Sequence, residues 1–278
     1  MSFVCRVGRK EDLPALAEIE RKTSPGNRYL LDCSEEFLDP ARGELVVVTE
    51  DDEPRGFAHF SIQPDGSGWL ECLRVDPEHQ KRGCGARIWQ RFIELCEIHK
   101  VPHVGMFTGL TNYASRVLGE RNGLHVDYQN REGSLAREDI PAVDVPTGFV
   151  RVTDPEEIRK VLAPYEAGYH GYFCMNRTYN YYNDALYQYL AQEQSVWVNG
   201  ESVVVTGARF LKDRALYIGV MGGDVDACIR FAISKLEESG LPKLTAAIPS
   251  DRDDLREALE KYGFVFPQSQ IIVLERNF

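Results

Sequence analysis

The chain has 278 residues, enough for one large or two ordinary globular domains, and its 43% hydrophobic and 27% charged residues exclude a disordered or fibrous protein. Its net charge of −11 disfavours nucleic acid and anionic membrane surfaces as partners, because both repel an acidic chain, and favours cationic partners. No apolar run approaches the ~20 residues that cross a bilayer, and the charged start of the chain does not predict a secretory signal.

The cysteines and histidines predict neither disulfides nor a metal site. The seven cysteines are scattered and include no Cys-x-x-Cys pair, which favours a reducing, cytoplasmic location. The six histidines include no His-Glu-x-x-His. His99 and His103 are four residues apart, but Pro102 breaks the helix that would align them.

Strand and helix patterns alternate along the first half of the chain. In order, strands are predicted at 3–8, 44–50, 56–63, 69–75, 103–108 and 124–129, and helices at 12–22, 84–99 and 112–121. Residues 131–148 are charged, contain Gly133, Pro141, Pro146 and Gly148, and are interpreted as a linker.

The second half repeats the order of the first. Strands are predicted at 148–153, 195–199, 202–211, 215–220, 243–248 and 269–275, and helices from 154 onward and at 183–192, 224–238 and 251–262. The chain is therefore predicted to carry one fold twice, as domains at 1–130 and 149–278 joined by the linker at 131–148.

The segment between the fourth strand and the following helix, residues 75–87, carries the clearest chemistry. Gly83 and Gly85 precede or open the helix, and glycines allow a ligand to approach backbone N–H groups at a helix N-terminus. Five basic and two acidic residues lie between Arg74 and Arg91. Charge and glycines alone fit either a phosphate site or a tight turn with a solvated basic face.

Spacing favours the phosphate site. Gln80-x-x-Gly83-x-Gly85, preceded by Val75-Asp76-Pro77 and followed by an amphipathic helix, resembles the acyl-CoA signature of the GNAT N-acetyltransferase superfamily. The resemblance covers about residues 3–129. It implies an α/β (α+β) fold, with two GNAT-like domains in tandem, each a mixed, mostly antiparallel sheet flanked by helices.

The resemblance also implies which residues bind acetyl-CoA, the expected co-substrate. The predicted pyrophosphate-binding residues are Gln80, Lys81, Arg82, Gly83, Cys84, Gly85 and Ala86. Leu73, Arg74 and Val75 are expected to pair with the pantetheine arm, whose two amides can act as a short extra strand. The Cys84 side chain occupies a variable position and is interpreted as an inert small residue.

Glu71 is the predicted catalytic residue. Strand alternation places Trp69, Glu71, Leu73 and Val75 on one face. The resemblance implies that a glutamate here serves as a base for the amine, through a water molecule, or binds the ammonium group. The structural alternative is a salt bridge to Arg74 or Arg55.

Asn112 resembles the asparagine that contacts CoA at the next helix start, although an N-cap would equally explain it. Seven residues later, GNAT enzymes often have a tyrosine that protonates the thiolate, and this chain has Gly119. Tyr113, Tyr128 or the second half could supply that proton instead, as could water.

The second half lacks the CoA signature. About four residues, against about nine in the first half, separate its strand from its helix, and Asp224 and Asp226 would repel a pyrophosphate. We therefore expect a degenerate GNAT-like domain. Eight of the 13 tyrosines fall between 165 and 189, where they form either packing or a wall of the acceptor pocket.

These patterns predict an N-acetyltransferase that moves an acetyl group from acetyl-CoA to a primary amine of a small molecule or peptide by direct attack. The acceptor is expected to be cationic, with no nucleic acid, membrane or metal involved, and the oligomeric state stays open. The alternative is a non-catalytic acyl-CoA-responsive binding protein whose second domain recruits a partner.

Overall fold

A computed structural model describes residues 3–278, so Met1 and Ser2 of the predicted first domain lie outside the described residues. The chain forms two compact units. The first comprises the chain up to Met106, together with Gly119–His125 and Glu275–Phe278, and the second comprises Phe107–Leu118 and Val126–Leu274. No helix among residues 3–278 has the length and apolar character needed to cross a membrane.

The first unit contains a five-stranded sheet and its helices. Its elements are β1 (Val4–Val7), α1 (Leu13–Thr23), α2 (Ser34–Phe37), β2 (Gly43–Glu50), β3 (Glu53–Ile62), β4 (Gly68–Val75), α3 (Cys84–His99), the start of β5 (His103–Gly109) and the end of α4 (Tyr113–Arg121). The strands follow one another in the order β1-β2-β3-β4-β5. All neighbours are antiparallel except β4 and β5, which are parallel.

Helix α3 covers this sheet with the stripe that its sequence predicts. Ile88, Phe92, Leu95 and Cys96 are all buried, and the Phe92 ring lies 6.4 Å from that of Phe60 on β3. Burial of each large apolar side chain contributes about 1.5–3 kcal/mol. The stripe therefore fixes the N-terminus of α3 beside the end of β4.

The second unit repeats this order of elements. It contains β6 (His125–Ala136), β7 (Val150–Val152), α5 (Pro155–Glu166), β8 (Tyr172–Met175), β9 (Thr178–Tyr181), α6 (Asp184–Gln192), β10 (Val196–Asn199), β11 (Ser202–Gly207), β12 (Leu216–Gly222), α7 (Val225–Ser239), β13 (Lys243–Pro249), α8 (Asp253–Glu260) and most of β14 (Ile271–Asn277). Its strand order is β14-β6-β13-β12-β11-β10-β7. Strands β12 and β13 are parallel, as β4 and β5 are.

Together these elements confirm the predicted fold class, a mixed and mostly antiparallel sheet flanked by helices, present twice. The predicted linker at 131–148 is wrong at its start, because β6 continues to Ala136 and pairs with β13. Hydrogen bonds to a strand more than 100 residues away hold this charged segment extended. The sequence analysis also missed α2 and the β8–β9 hairpin.

Candidate active site

Strand β4 has an unpaired edge where a pantetheine arm is predicted to bind. Its parallel ladder with β5 covers only Gly68 with Val104 and Trp69 with Gly105. Beyond this point the described residues Leu73, Arg74 and Val75 are half-exposed. No strand among residues 3–278 covers them on this side, but Arg74 Nη1 donates to Leu73 O at 3.0 Å and Gln80 Nε2 donates to Val75 O at 3.2 Å. An amide-bearing ligand that adds as a strand would therefore replace these side-chain contacts.

A β-bulge at Cys72 changes the faces of β4. Cys72 has φ +58°, and the register with β3 slips between the Phe57–Arg74 and His59–Glu71 pairs. The extra residue reverses the alternation, so Arg74 rather than Leu73 and Val75 shares the face of Glu71. Val75 instead pairs with Gly56, whose Cβ position lies 2.7 Å from the Cys84 sulfur at the start of α3. The predicted common face of Glu71, Leu73 and Val75 is thus wrong.

The loop after β4 is eight residues long and is held by its own side chains. Asp76 Oδ1 accepts a hydrogen bond from Glu78 N at 3.0 Å, and Gln80 Nε2 donates to Val75 O at 3.2 Å. Gly83 has φ +100°, and no atom lies within 4 Å of the position that its Cβ would occupy. The loop therefore turns into α3 through a left-handed glycine that faces open space.

The N-terminus of α3 can hold an anion. The first N–H groups of a helix, here those of Cys84, Gly85 and Ala86, have no acceptor within the helix. Gly83 at the N-cap offers no side-chain acceptor, and Lys81 and Arg82 beside it are exposed. These backbone donors and the positive end of the helix fit a pyrophosphate.

We call the backbone N–H groups of Cys84, Gly85 and Ala86 the cradle. The Cys84 thiol faces away from this cradle. Its side chain is 1% exposed, and burial raises its pKa to about 12. A thiol with this pKa is not a nucleophile at neutral pH. Cys84 can therefore contribute its backbone N–H.

The loop is less positive than the count of five basic and two acidic residues indicates. Arg82 pairs with Glu50 at 2.8 Å, and Arg91 pairs with Glu44 at 2.7 Å. Both glutamates come from β2, more than 30 residues away, which the local count could not include. Lys81 makes no ion pair among residues 3–278, so its ammonium group is available to a ligand.

Glu71 is buried and is held by side chains of β3 that the sequence analysis missed. Ser61 Oγ donates to Glu71 Oε1 at 2.9 Å, and His59 Nδ1 lies 3.1 Å from the same oxygen. The alternation of His59, Ser61 and Gln63 along β3 was the available signal. It could not be used without the register that sets His59 opposite Glu71.

Tyr29 is the one tyrosine of the first unit and was also missed. Its hydroxyl hydrogen-bonds the Cys72 thiol at the bulge, and burial raises the pKa of Tyr29 well above 10. Buried Glu20 of α1 accepts from Tyr29 N at 3.2 Å and Leu30 N at 3.2 Å, which fixes this segment. The Tyr29 hydroxyl thus lies beside Cys72, one residue before the edge of β4 that begins at Leu73.

Asn112 lies in the second unit and has a local role. Its Oδ1 accepts from Ser115 N at 3.3 Å at the start of α4, as an N-cap does. Its contact with CoA stays a prediction. Gly119 is buried, and Tyr113, an alternative proton donor, is 69% exposed.

The corresponding position in the second unit is closed. Only Gly223 and Asp224 separate β12 from α7, and Asp224 caps the helix by accepting from Ala227 N at 3.0 Å. The hydroxyl of Tyr169 donates to Met221 O at 3.1 Å and accepts from Met221 N at 3.0 Å. Protein groups therefore occupy the Ala227 N–H at the helix N-terminus and the N–H and C=O of Met221 on β12.

Aromatic rings fill the space beside β12. A Cβ on Gly219 would meet the Phe173 ring at 2.5 Å, and one on Gly222 would meet the Tyr165 ring at 2.4 Å. The tyrosine-rich segment 165–189 thus packs largely inside the second unit. Its Tyr172 stacks on Tyr128 at 4.7 Å and donates to Asp127 at 2.9 Å.

One group in the first unit has metal-ligand composition. Asp76, Glu78 and His79 bring donor atoms within 4.8 Å of one another. Asp76 pairs with Lys22 at 3.3 Å, and His79 lies 3.5 Å from Glu50. These ion pairs account for the group as part of the loop, and we assign no metal to it.

A protein-family model matches the first part of the chain. Residues 12–124 match the model of the Acetyltransferase (GNAT) family. No curated protein sequence matched the chain.

Solved structures match almost the whole chain. A GCN5-related N-acetyltransferase from Sphaerobacter thermophilus is 15% identical, with a TM-score of 0.68 over 99% of this chain and 95% of that one. A tandem GNAT protein from the clavulanic acid biosynthesis pathway is also 15% identical, with a TM-score of 0.60 over 99% and 98%. A GCN5-related N-acetyltransferase from Kribbella flavida is 12% identical, with a TM-score of 0.55 over 99% and 71%. At these identities the likeness concerns the fold. The chain therefore shares the fold of these proteins, a tandem GNAT protein among them, and its residues 12–124 match the model of the acetyltransferase (GNAT) family.

Proposed function

We propose that the first unit transfers an acetyl group from acetyl-CoA to a primary amine by direct attack. The observation that carries the proposal is the unpaired edge of β4, which leads through a glycine loop to a helix N-terminus without a side-chain cap. Strand pairing suits the pantetheine arm, and the cradle of N–H groups suits the pyrophosphate. Glu71, two residues before the start of that edge, supplies the acid–base group.

Each reacting group has a partner in this arrangement. The Leu73 N–H polarises the thioester carbonyl, and Glu71 takes a proton from the ammonium group, directly or through water, so that the neutral amine can attack. The new C–N bond forms as the C–S bond breaks. The departing thiolate takes a proton from water, because this chain has Gly119 where GNAT enzymes often have a tyrosine, and the proton held by Glu71 returns to solvent.

The acceptor is proposed to be a cationic small molecule or peptide. The net charge of −11 attracts such molecules, and the Glu71 carboxylate can hold an ammonium group. The second unit is proposed to bind no acetyl-CoA, since Tyr169 and Asp224 occupy the groups that would bind it. All seven cysteines are free thiols, which fits the reducing cytoplasm that we propose as the location.

The test is release of CoA thiol from acetyl-CoA in the presence of a panel of amines. The panel contains a polyamine, an aminoglycoside, and peptides with a free N-terminus or lysine. We expect thiol release that depends on the amine and that Glu71→Gln lowers. Tight acetyl-CoA binding with no thiol release for any amine would contradict the proposal and favour a non-catalytic acyl-CoA-binding protein.

A further inference from the structure

A row of polar side chains lies buried on β3 and the residue after it. His59, Ser61 and Gln63 alternate along the chain, so they share one face, and each is less than 5% exposed. Burial of polar groups is costly unless they are hydrogen-bonded. These three form a connected set that leads to Glu71.

The contacts converge on one carboxylate oxygen. Gln63 Nε2 donates to Ser61 Oγ at 2.7 Å, and Ser61 Oγ donates to Glu71 Oε1 at 2.9 Å. His59 Nδ1 lies 3.1 Å from Oε1 on the directly opposite residue of the ladder. Two donors on one oxygen fix the orientation of the carboxylate.

The His59 ring is itself fixed by packing. It is fully buried and stacks on Phe37 of α2, with ring centroids 4.1 Å apart and planes 8° from parallel. Its other nitrogen, Nε2, is buried and has no hydrogen-bond partner among residues 3–278. The ring therefore has one polar contact, which is the one to Glu71.

This pattern selects one tautomer. Because Nδ1 faces a carboxylate oxygen, it must carry the proton in order to donate. The Nε2–H tautomer would set the Nδ1 lone pair against the carboxylate oxygen and bury an N–H without an acceptor. Of the two tautomers, Nδ1–H is therefore the less costly.

We propose that His59, as the Nδ1–H tautomer, is a positioning residue that holds Glu71 in place for the amine. The inference rests on the proposed function, in which Glu71 acts on that amine. Phe37 orients the imidazole, and Ser61 with Gln63 supplies the second donor. His59 does not touch the substrate and acts through Glu71.

The kinetic test compares His59→Leu with His59→Asn, because the asparagine amide nitrogen can replace Nδ1 as a donor. His59→Leu should lower kcat by roughly 10–100-fold and leave the KM for acetyl-CoA unchanged, since the cradle is untouched. His59→Asn should recover most of that rate. The double variant with Glu71→Gln should be no slower than Glu71→Gln alone.

The matched control is His103→Leu. His103 also pairs with a buried carboxylate of the first unit, Asp65, at 3.6 Å. It should leave kcat unchanged. Wild-type kcat in His59→Leu, an equal loss in His59→Asn, or additive losses in the double variant would overturn the inference.

A second readout does not depend on turnover. Nitrogen-15 NMR of the imidazole should show Nδ1–H at neutral pH, and Glu71→Gln should shift that signal. If the protein binds acetyl-CoA but acetylates no amine, the proposed function fails, and the tautomer alone then decides whether His59 holds Glu71. An Nε2–H tautomer would overturn the inference.

Discussion

The two units solve the same local problem, the turn from a central strand into a helix, in opposite ways. After β4, eight residues lead through Gly83 to a helix whose N-cap has no side-chain hydrogen bond. After β12, two residues suffice, and the Asp224 carboxylate caps the helix. N–H groups at a helix start that have no acceptor in the chain can bind a ligand. An N–H group that donates to a capping side chain, as at the start of α7, contributes to folding instead.

The strand edges differ in the same way. The end of β4 is half-exposed at Leu73–Val75, whereas the Tyr169 hydroxyl bonds both the N–H and the C=O of Met221 on β12. One hydroxyl thus takes the place that an amide-bearing ligand would have. This difference supports the proposal that one copy of the fold binds acetyl-CoA and the other does not.

The largest effect is expected from Gly83→Val. Valine is strained at φ +100°, and the change would turn the N–H groups away from the pyrophosphate. We expect acetyl-CoA affinity to fall roughly 100-fold or more in calorimetry. Gly66→Val is the control, because Gly66 also has positive φ (+85°) and open space but lies in the β3–β4 turn. Equal affinity of Gly83→Val and Gly66→Val would refute the cradle.

Glu71→Gln separates the rate of acetyl transfer from acetyl-CoA affinity in the first unit. Loss of a general base lowers kcat by about 10²–10⁴-fold. Acetyl-CoA affinity should stay close to that of the wild type, because the cradle lies after the strand. If Glu71 is the base rather than an ammonium anchor, the loss of rate should shrink at high pH, where the free amine is more abundant. Unchanged turnover at neutral pH would leave Glu71 a structural role.

Tyr169→Phe tests whether the Tyr169 hydroxyl stabilises the second unit. The variant leaves the buried N–H and C=O of Met221 without their partner, which should lower the free energy of unfolding by about 1–3 kcal/mol. Acetyl-CoA affinity should not change, because α7 stays capped by Asp224. Chemical denaturation measures the first effect and calorimetry the second. A second acetyl-CoA site in this variant would show that Tyr169 alone blocks it.

The smallest effect is expected from two aspartates that each precede the first long helix of their half of the chain. Asp12 pairs with Arg6 at 2.7 Å, and this hydrogen bond lowers the pKa of Asp12. Asp154 instead caps α5 by accepting from Glu157 N at 2.9 Å. Asp12→Asn should cost about 1 kcal/mol at neutral pH, whereas Asp154→Asn should be nearly neutral, because asparagine caps equally well.

The Asp12 effect should also depend on pH. Because its folded pKa lies below the unfolded value of ~3.9, the stabilisation is fully present above that value and is lost as pH falls through the folded pKa. Unfolding curves of Asp12→Asn and wild type should therefore converge in acid. A gap that persisted at low pH would mean that the ion pair is not its cause.

The sequence predicted what depends on local pattern. Helix α3 occupies the predicted range because its apolar stripe has helical spacing, and the glycine loop before it has a recognisable spacing too. The short, acidic loop at Asp224 was evident for the same reason. In each case neighbouring residues determine the structure.

What the sequence did not predict depends on distant residues. The bulge at Cys72 follows from the register with β3, and no composition rule places a positive φ on a cysteine. The Glu50–Arg82 pair and the His59–Glu71 contact join residues of different strands and loops. The filling of the second site by Tyr169 likewise needs the fold of the tyrosine-rich segment.

The central claim is that one of the two units binds acetyl-CoA, and native mass spectrometry of the intact chain with acetyl-CoA tests it most directly. We predict one bound molecule per wild-type chain and none for Gly83→Val. Two bound molecules on the wild type, or one that survives in Gly83→Val, would contradict the account.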